Sequence, residues 1–223
     1  MTNETVIRYD SRIDTIVAPD AMLIKLAGGF QFLEGPVWVQ NPEEMLYFSD
    51  IPGNILYSWS PKIGTEVVIN GVYTGSEPPG SFMGSNGLAV NPDGYLVLCE
   101  HGNRRIAKLF WDGMRDTMVE SFDGKRLNSP NDIVFHSSGS AFFTDPPYGL
   151  AGKDSDPKKE LSFNGIFRLD PDGSLTLLST AMNRPNGLAF SPDEQTLFVS
   201  NSGWPKEATI QQFEVTTDLE IKN

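Results

Sequence analysis

A short pattern that returns four times at near-constant spacing restricts this chain more than any other feature. Leu33-Glu-Gly-Pro-Val-Trp-Val39 has counterparts in Asn86-Gly-Leu-Ala-Val90, Asn131-Asp-Ile-Val-Phe135 and Asn186-Gly-Leu-Ala-Phe190. The opening residues Glu34, Asn86, Asn131 and Asn186 are 52, 45 and 55 residues apart, the interval of a propeller blade or a solenoid unit. Each repeat starts on an oxygen-bearing side chain, runs through apolar residues, and reaches a turn rich in Pro, Asn, Asp, Ser and Gly at 41–44, 91–94, 136–139 and 191–194. A second apolar run follows every turn, at 46–50, 96–100, 141–145 and 197–201.

Third strands are predicted at 55–60, 105–110, 166–170 and 210–215, and fourth strands at 66–70, 116–121 and 174–179. No window sustains a helical apolar period, so helices should be short or absent. The expectation is an all-β chain of four-stranded antiparallel blades, the plan of a β-propeller, in one domain over residues 1–223 with blade starts near 34, 86, 129 and 184. Residues 21–32 read as a strand preceding the first full blade. The fourth unit runs out near Ile221, just after its third strand, so about four blades of a larger, C-terminally incomplete ring are expected.

In a propeller the first strand of each blade lines the central tunnel. Glu34, Asn86, Asn131 and Asn186 should therefore meet at one mouth, together with the segments after each second strand. Carboxylate and amide oxygens, with no thiolate pair and only two His in the chain, suit a hard cation. Ca²⁺ accepts such donors in flexible geometry, with Mg²⁺ or Mn²⁺ as substitutes. The competing reading is that each Asn merely starts a strand by bonding local backbone.

A formal net charge of −12 argues against a nucleic-acid surface. The single Cys99 excludes an internal disulfide and sits in a predicted strand, where burial is expected. Residues 1–30 hold no apolar run of signal-peptide or membrane-span length, so no membrane partner is expected, and the location reads as cytoplasmic, or periplasmic if a signal peptide was removed. No Gly-x-Ser-x-Gly elbow is present, which disfavours a serine hydrolase.

Among residues near the mouth, His101 can shuttle protons or simply bond backbone. Asn86, Arg104 and Tyr148 can contact sugar hydroxyls, though Tyr148 can equally pack on Pro146 and Pro147. Asp132 and Asp145 read as loop-bracing carboxylates. The polar insert 151–164 should hang over the tunnel and shape substrate choice, with Glu160 either reaching the mouth or staying solvated. His136 lies in a turn at the other face and receives no role.

Glu34-Gly-Pro-Val-Trp38, Ser129-Pro-Asn-Asp-Ile-Val-Phe135, Thr144-Asp-Pro-Pro-Tyr-Gly149 and Arg184-Pro-Asn-Gly-Leu-Ala-Phe-Ser191 together resemble the senescence-marker protein, gluconolactonase and luciferin-regenerating enzyme family. With Cys99-Glu-His-Gly-Asn-Arg-Arg105, the chain looks most like its bacterial gluconolactonases. The resemblance implies a six-bladed propeller with a divalent cation in the tunnel, usually Ca²⁺, with Mg²⁺, Mn²⁺ or Zn²⁺ as other candidates. It carries the metal-ligand role onto Glu34, Asn131 and Asn186, and a substrate-contact role onto Asn131 as well. A further ligand Asp, also the family's candidate general base, has no counterpart here, which implies weak metal binding and slow turnover. The implied reaction is metal-assisted opening of a sugar lactone to its aldonic acid, with the lactone as the small-molecule partner. Phosphotriester cleavage on the same metal and a non-catalytic, metal-stabilised binding propeller stand as alternatives.

Overall fold

The computed structural model describes residues 4–40, 43–76, 80–203 and 207–223. Asn41 and Pro42 of the first turn, and Trp204 beyond the fourth blade's second strand, lie outside them. Four antiparallel sheets of four strands follow one another, each in simple meander order. Blade one is Leu33–Val39, Met45–Asp50, Ile55–Ser60 and Gly64–Asn70; blade two is Ser85–Val90, Leu96–Glu100, Arg105–Leu109 and Arg115–Val119. Blade three is Ile133–Phe135, Ala141–Asp145, Gly165–Leu169 and Leu175–Ser179; blade four is Pro185–Phe190, Thr196–Gly203, Glu207–Val215 and Ile221–Lys222. The arrangement is that of a β-propeller, and among the described residues the helices are the short 3₁₀ turns Ser11–Thr15 and Lys153–Ser155.

Two sequence expectations need correction. Residues 21–32 do not add a strand to a blade: only Met22–Leu23 is extended, paired with Glu4–Thr5 in a separate two-stranded ribbon. Both side chains are exposed, and Gly29 at φ 95° ends the run before Phe30. The fourth blade does have a fourth strand, in which Ile221 and Lys222 pair with Val215 and Glu214. A tight turn through Leu219 at φ 60° returns the chain within five residues, too abruptly to register as a strand by apolar alternation.

The blades pack face to face, so the core consists of seams between them. Leu88, Leu96 and Leu98 of blade two meet Val39, Tyr47 and Leu56 of blade one. Val97, Cys99 and Ile106 on its other face meet Ile133, Phe143 and Phe167 of blade three, and Phe142 and Ile166 meet Leu188, Leu197 and Val199 of blade four. A central second strand such as Leu96–Glu100 is therefore buried on both faces and reads as a continuous apolar run. Cys99 is fully buried. The outward faces of blades one and four carry exposed apolar side chains, including Leu33 and Trp38 on one and Phe198 and Ile210 on the other.

Hydrogen bonds along these seams set the first strands against one another. The backbone carbonyls of Asn86, Asn131 and Asn186 each accept from the preceding blade: from the Ser49 hydroxyl at 2.9 Å, the Gly87 N–H at 2.7 Å and the Thr144 hydroxyl at 2.7 Å. Ser49 and Thr144 hold the same penultimate position in their second strands; blade two has Cys99 there, a weak donor, and the backbone supplies the bond instead.

Candidate active site

Three of the first strands slip register where the repeat begins: between Glu34 and Val37, Ser85 and Leu88, and Pro185 and Leu188. A bulge of this kind re-aims one side chain out of the pleat. Gly35 makes the first possible, at φ 60°, where an added Cβ would lie 2.1 Å from the Asn86 carbonyl oxygen. Gly87 is as tightly enclosed, 2.4 Å from Asp132 Oδ1 and 2.7 Å from the Asn131 carbonyl. Only glycine lets adjacent first strands come this close, which explains the recurring Glu-Gly and Asn-Gly pairs.

The four opening side chains converge. Glu34, Asn86, Asn131 and Asn186 all line one cavity of about 200 Å³, with His101 and Tyr148 beside them and Lys153 on the same wall space. Phe32, Ile51 and Phe82 supply the apolar wall. Asn86, Asn131 and His101 are buried, while Lys153 is exposed. The side-chain amides of Asn131 and Asn186 make no hydrogen bond among the described residues, although their backbone groups are engaged. Asn131 is buried and Asn186 half-buried, and an amide there without a protein partner has its donor and acceptor capacity in reserve for something in the cavity. A wider groove of about 1120 Å³ lies around the outer turns of blade four, away from the four opening residues; there Glu194 is tied to Ser137 and His136.

His101 Nε2 lies 3.2 Å from Asn86 Nδ2. With the amide as donor, Nε2 accepts and the ring proton resides on Nδ1, which forms no hydrogen bond of normal geometry. Burial lowers the His101 pKa to about 4, against a smaller opposing effect of the Phe82 backbone, so the imidazole is neutral at pH 7. Glu34 keeps an exposed flank, yet loss of solvation raises its pKa, partly offset by the Gly35 N–H. Burial likewise raises Asp132, opposed by the N–H groups of Leu188 and Ile133, with the nearby Glu34 charge adding to the rise.

Asp145 stands behind the site, accepting from the Asn128 N–H at 2.7 Å and the Ser129 N–H at 2.8 Å. Asp50 does the same for Gln31 and Phe32, and Asn201 for Arg184, so three second strands carry, at or near their ends, a side chain that grips the approach to the first strand. In blade two Glu100 instead binds Arg105 and Arg115.

Two residues expected at the mouth lie elsewhere. Arg104 is buried and donates to the carbonyls of Leu127 at 2.7 Å and Lys158 at 2.8 Å, and it does not line the cavity. Glu160 accepts from the Arg126 N–H at 2.8 Å and faces Arg104 at 3.6 Å. Both tether the 151–164 insert to blade two. The insert does reach the cavity, but through Lys153, whose φ of 51° could not be anticipated from residue type. The walls Phe32, Ile51 and Phe82 were equally unmarked in sequence, since each adjoins a turn rather than a periodic run.

Residues 32–223 match the family model described as "SMP-30/Gluconolactonase/LRE-like region". The chain belongs to this family. A gluconolactonase of Zymomonas mobilis is 43% identical over 201 residues, covering 88% of this chain and 56% of that protein. A pentonolactonase of Haloferax volcanii is 27% identical over 170 residues, 76% of this chain and 49% of that one. The chain thus spans about half the length of the curated relatives it matches. Among solved structures, a gluconolactonase from Xanthomonas campestris superposes with a TM-score of 0.81 at 34% identity, over 96% of this chain and 68% of that chain. Among the described residues of this family member, no helix is long and apolar enough to cross a membrane.

Proposed function

We propose that this protein hydrolyses sugar lactones to aldonic acids at the cavity between Glu34 and Asn186, with a divalent cation held there. The observation that carries the reading is the convergence of one carboxylate and three Asn side chains on one small cavity, two of the amides having no protein partner among the described residues. Kinship with proteins named gluconolactonase and pentonolactonase supports the substrate class.

The residues present fit a hard cation. The donors are a carboxylate and amide oxygens, and no cluster of three or more His, Cys, Asp or Glu that could hold a metal occurs among the described residues. Such a set suits Ca²⁺, which accepts neutral oxygens in loose geometry, and not a metal that asks for thiolate or imidazole. Glu34, Asn131 and Asn186 would hold it. Bound there, the cation supplies a Lewis acid for the lactone carbonyl and acidifies water.

The chain's own residues do the rest. Asn86 is oriented by His101, which takes an amide hydrogen and so turns Asn86 Oδ1 away from itself toward a ligand hydroxyl. Tyr148 offers a second hydroxyl contact, and Phe32, Ile51 and Phe82 limit the water around the reacting ester. Neutral His101 can take up a proton only by giving up the Asn86 contact, so its part is to position the amide.

The test follows thermal stability and δ-lactone hydrolysis together during a Ca²⁺ titration, in wild type and Glu34→Gln. Metal-dependent stabilisation and hydrolysis, both weakened in the variant, are expected. Stabilisation by metal without any lactone turnover would leave a binding propeller in place of an enzyme.

A further inference from the structure

We infer that Lys153 selects lactones carrying an anionic substituent, a carboxylate or a phosphate, away from the ring carbonyl. The inference rests on the lactonase reading for its reaction, though not for its binding step.

Among the described residues, Lys153 is the one cationic side chain lining the cavity. Of the other titratable side chains lining it, Glu34 is a carboxylate assigned to the cation and His101 is neutral, so neither gives a substituent at the rim a positive partner. A polyhydroxylated neutral lactone would need only amides and hydroxyls, which Asn86, Asn131, Tyr148 and Asn186 already present. An ammonium can also donate to a neutral hydroxyl, but its bond to a carboxylate or phosphate oxygen is the stronger one, so its presence favours the anionic ligand.

The side chain is not there by default. Residue 153 adopts a left-handed backbone, φ 51°, uncommon for a residue with a Cβ and retained where surrounding structure enforces it. That enforcement is visible. Lys153 N–H donates to Leu150 at 3.1 Å, its carbonyl accepts from Asp156 N–H at 3.1 Å, and the Asp156 carboxylate accepts from Gly152 N–H at 2.7 Å. The loop is fixed to blade two by Arg104 on the Lys158 carbonyl, and to blade four by the ion pair of Asp154 with Arg184.

The insert's other charges are largely absorbed in this bracing. Asp154 pairs with Arg184 and Lys159, and Glu160 pairs with Arg104. Lys153 has no ion pair or hydrogen bond from its ammonium group among the described residues. It is exposed, whereas Asn86, Asn131 and His101 are buried, which puts the charge at the rim and the amides at the floor. A single anionic group would be drawn to the rim by Lys153, leaving the ring carbonyl to the floor where Glu34 and the amides lie.

The experiment compares kcat/KM for D-glucono-δ-lactone, its 6-phosphate and D-glucaro-δ-lactone in wild type, Lys153→Met, Lys153→Arg and Lys153→Glu. In parallel, calorimetry compares binding of glucitol 6-phosphate with glucitol. We expect the anionic-to-neutral ratio of kcat/KM to fall by roughly tenfold in Lys153→Met, further in Lys153→Glu, and to recover in Lys153→Arg, with glucitol 6-phosphate binding following the same order. The phosphate and glucarate arms separate the two sources of charge. Neutral lactone hydrolysed with a ratio indifferent to residue 153 would overturn the inference while leaving the lactonase reading intact. No hydrolysis of any lactone, with glucitol 6-phosphate binding still dependent on Lys153, would overturn the reaction and keep the anion site.

Discussion

Thr144 of blade three donates its hydroxyl to the backbone carbonyl of Asn186 in blade four, 2.7 Å away. The bond joins a fully buried side chain to the residue whose amide faces the cavity, so packing and site geometry share one link. Thr144→Val keeps the shape and strands the carbonyl. We expect a loss of about 1–3 kcal/mol in denaturant unfolding and a weaker Ca²⁺ isotherm, both largely restored in Thr144→Ser.

Gly35→Ala should be more damaging than any alanine substitution on the surface. Its Cβ would sit 2.1 Å from the Asn86 carbonyl at a φ that L-residues avoid, forcing blades one and two apart. A drop of more than about 2 kcal/mol is expected, read from urea midpoints at constant m-value.

His101 and Asp145 drive stability in opposite directions as pH changes. The folded pKa of His101 is lowered to about 4 from 6.5, so its contribution is complete above pH 6.5 and is lost as pH falls through 4, by roughly 3 kcal/mol at the acid end. The folded pKa of Asp145 is raised to about 7 from 3.8 by burial, so its contribution is complete below 3.8 and is lost as pH rises through 7. Unfolding free energies measured from pH 4 to 8 should therefore decline less toward acid in His101→Gln, and less toward alkali in Asp145→Asn, than in wild type.

Arg104→Met should loosen the insert although Arg104 itself does not line the cavity. The guanidinium holds the carbonyls of Leu127 and Lys158 from a buried position. Amide hydrogen exchange of residues 150–160 is expected to accelerate at least about tenfold, corresponding to loss of a charge-assisted bond, while blade-three strands keep their protection.

The repeat made the blades legible because alternation, turn chemistry and spacing are local properties that survive in any one stretch of sequence. Glu34, Asn86, Asn131 and Asn186 could be grouped by the same logic, since equal positions in equal blades must meet near one axis. The place of Arg104 is not legible in sequence because a long side chain chooses among distant carbonyls, and nothing near Arg104 announces Lys158; Glu160, open between the mouth and solvent, stays exposed against Arg126 and Arg104. Lys153 was passed over for the converse reason: a turn conformation decides where it projects. The bulges fell between these cases, marked in sequence by Gly35 and Gly87 but interpretable only once the neighbouring strand was seen.

The carbonyls of Asn86, Asn131 and Asn186, each held by the blade before it, place the site under a shared constraint. A change that rotates one first strand is passed to the next, so the four oxygen-bearing side chains move as a linked series. Tuning this cavity for a different ion or ligand would thus call for edits at Ser49, Gly87 or Thr144, residues that never touch what the cavity holds.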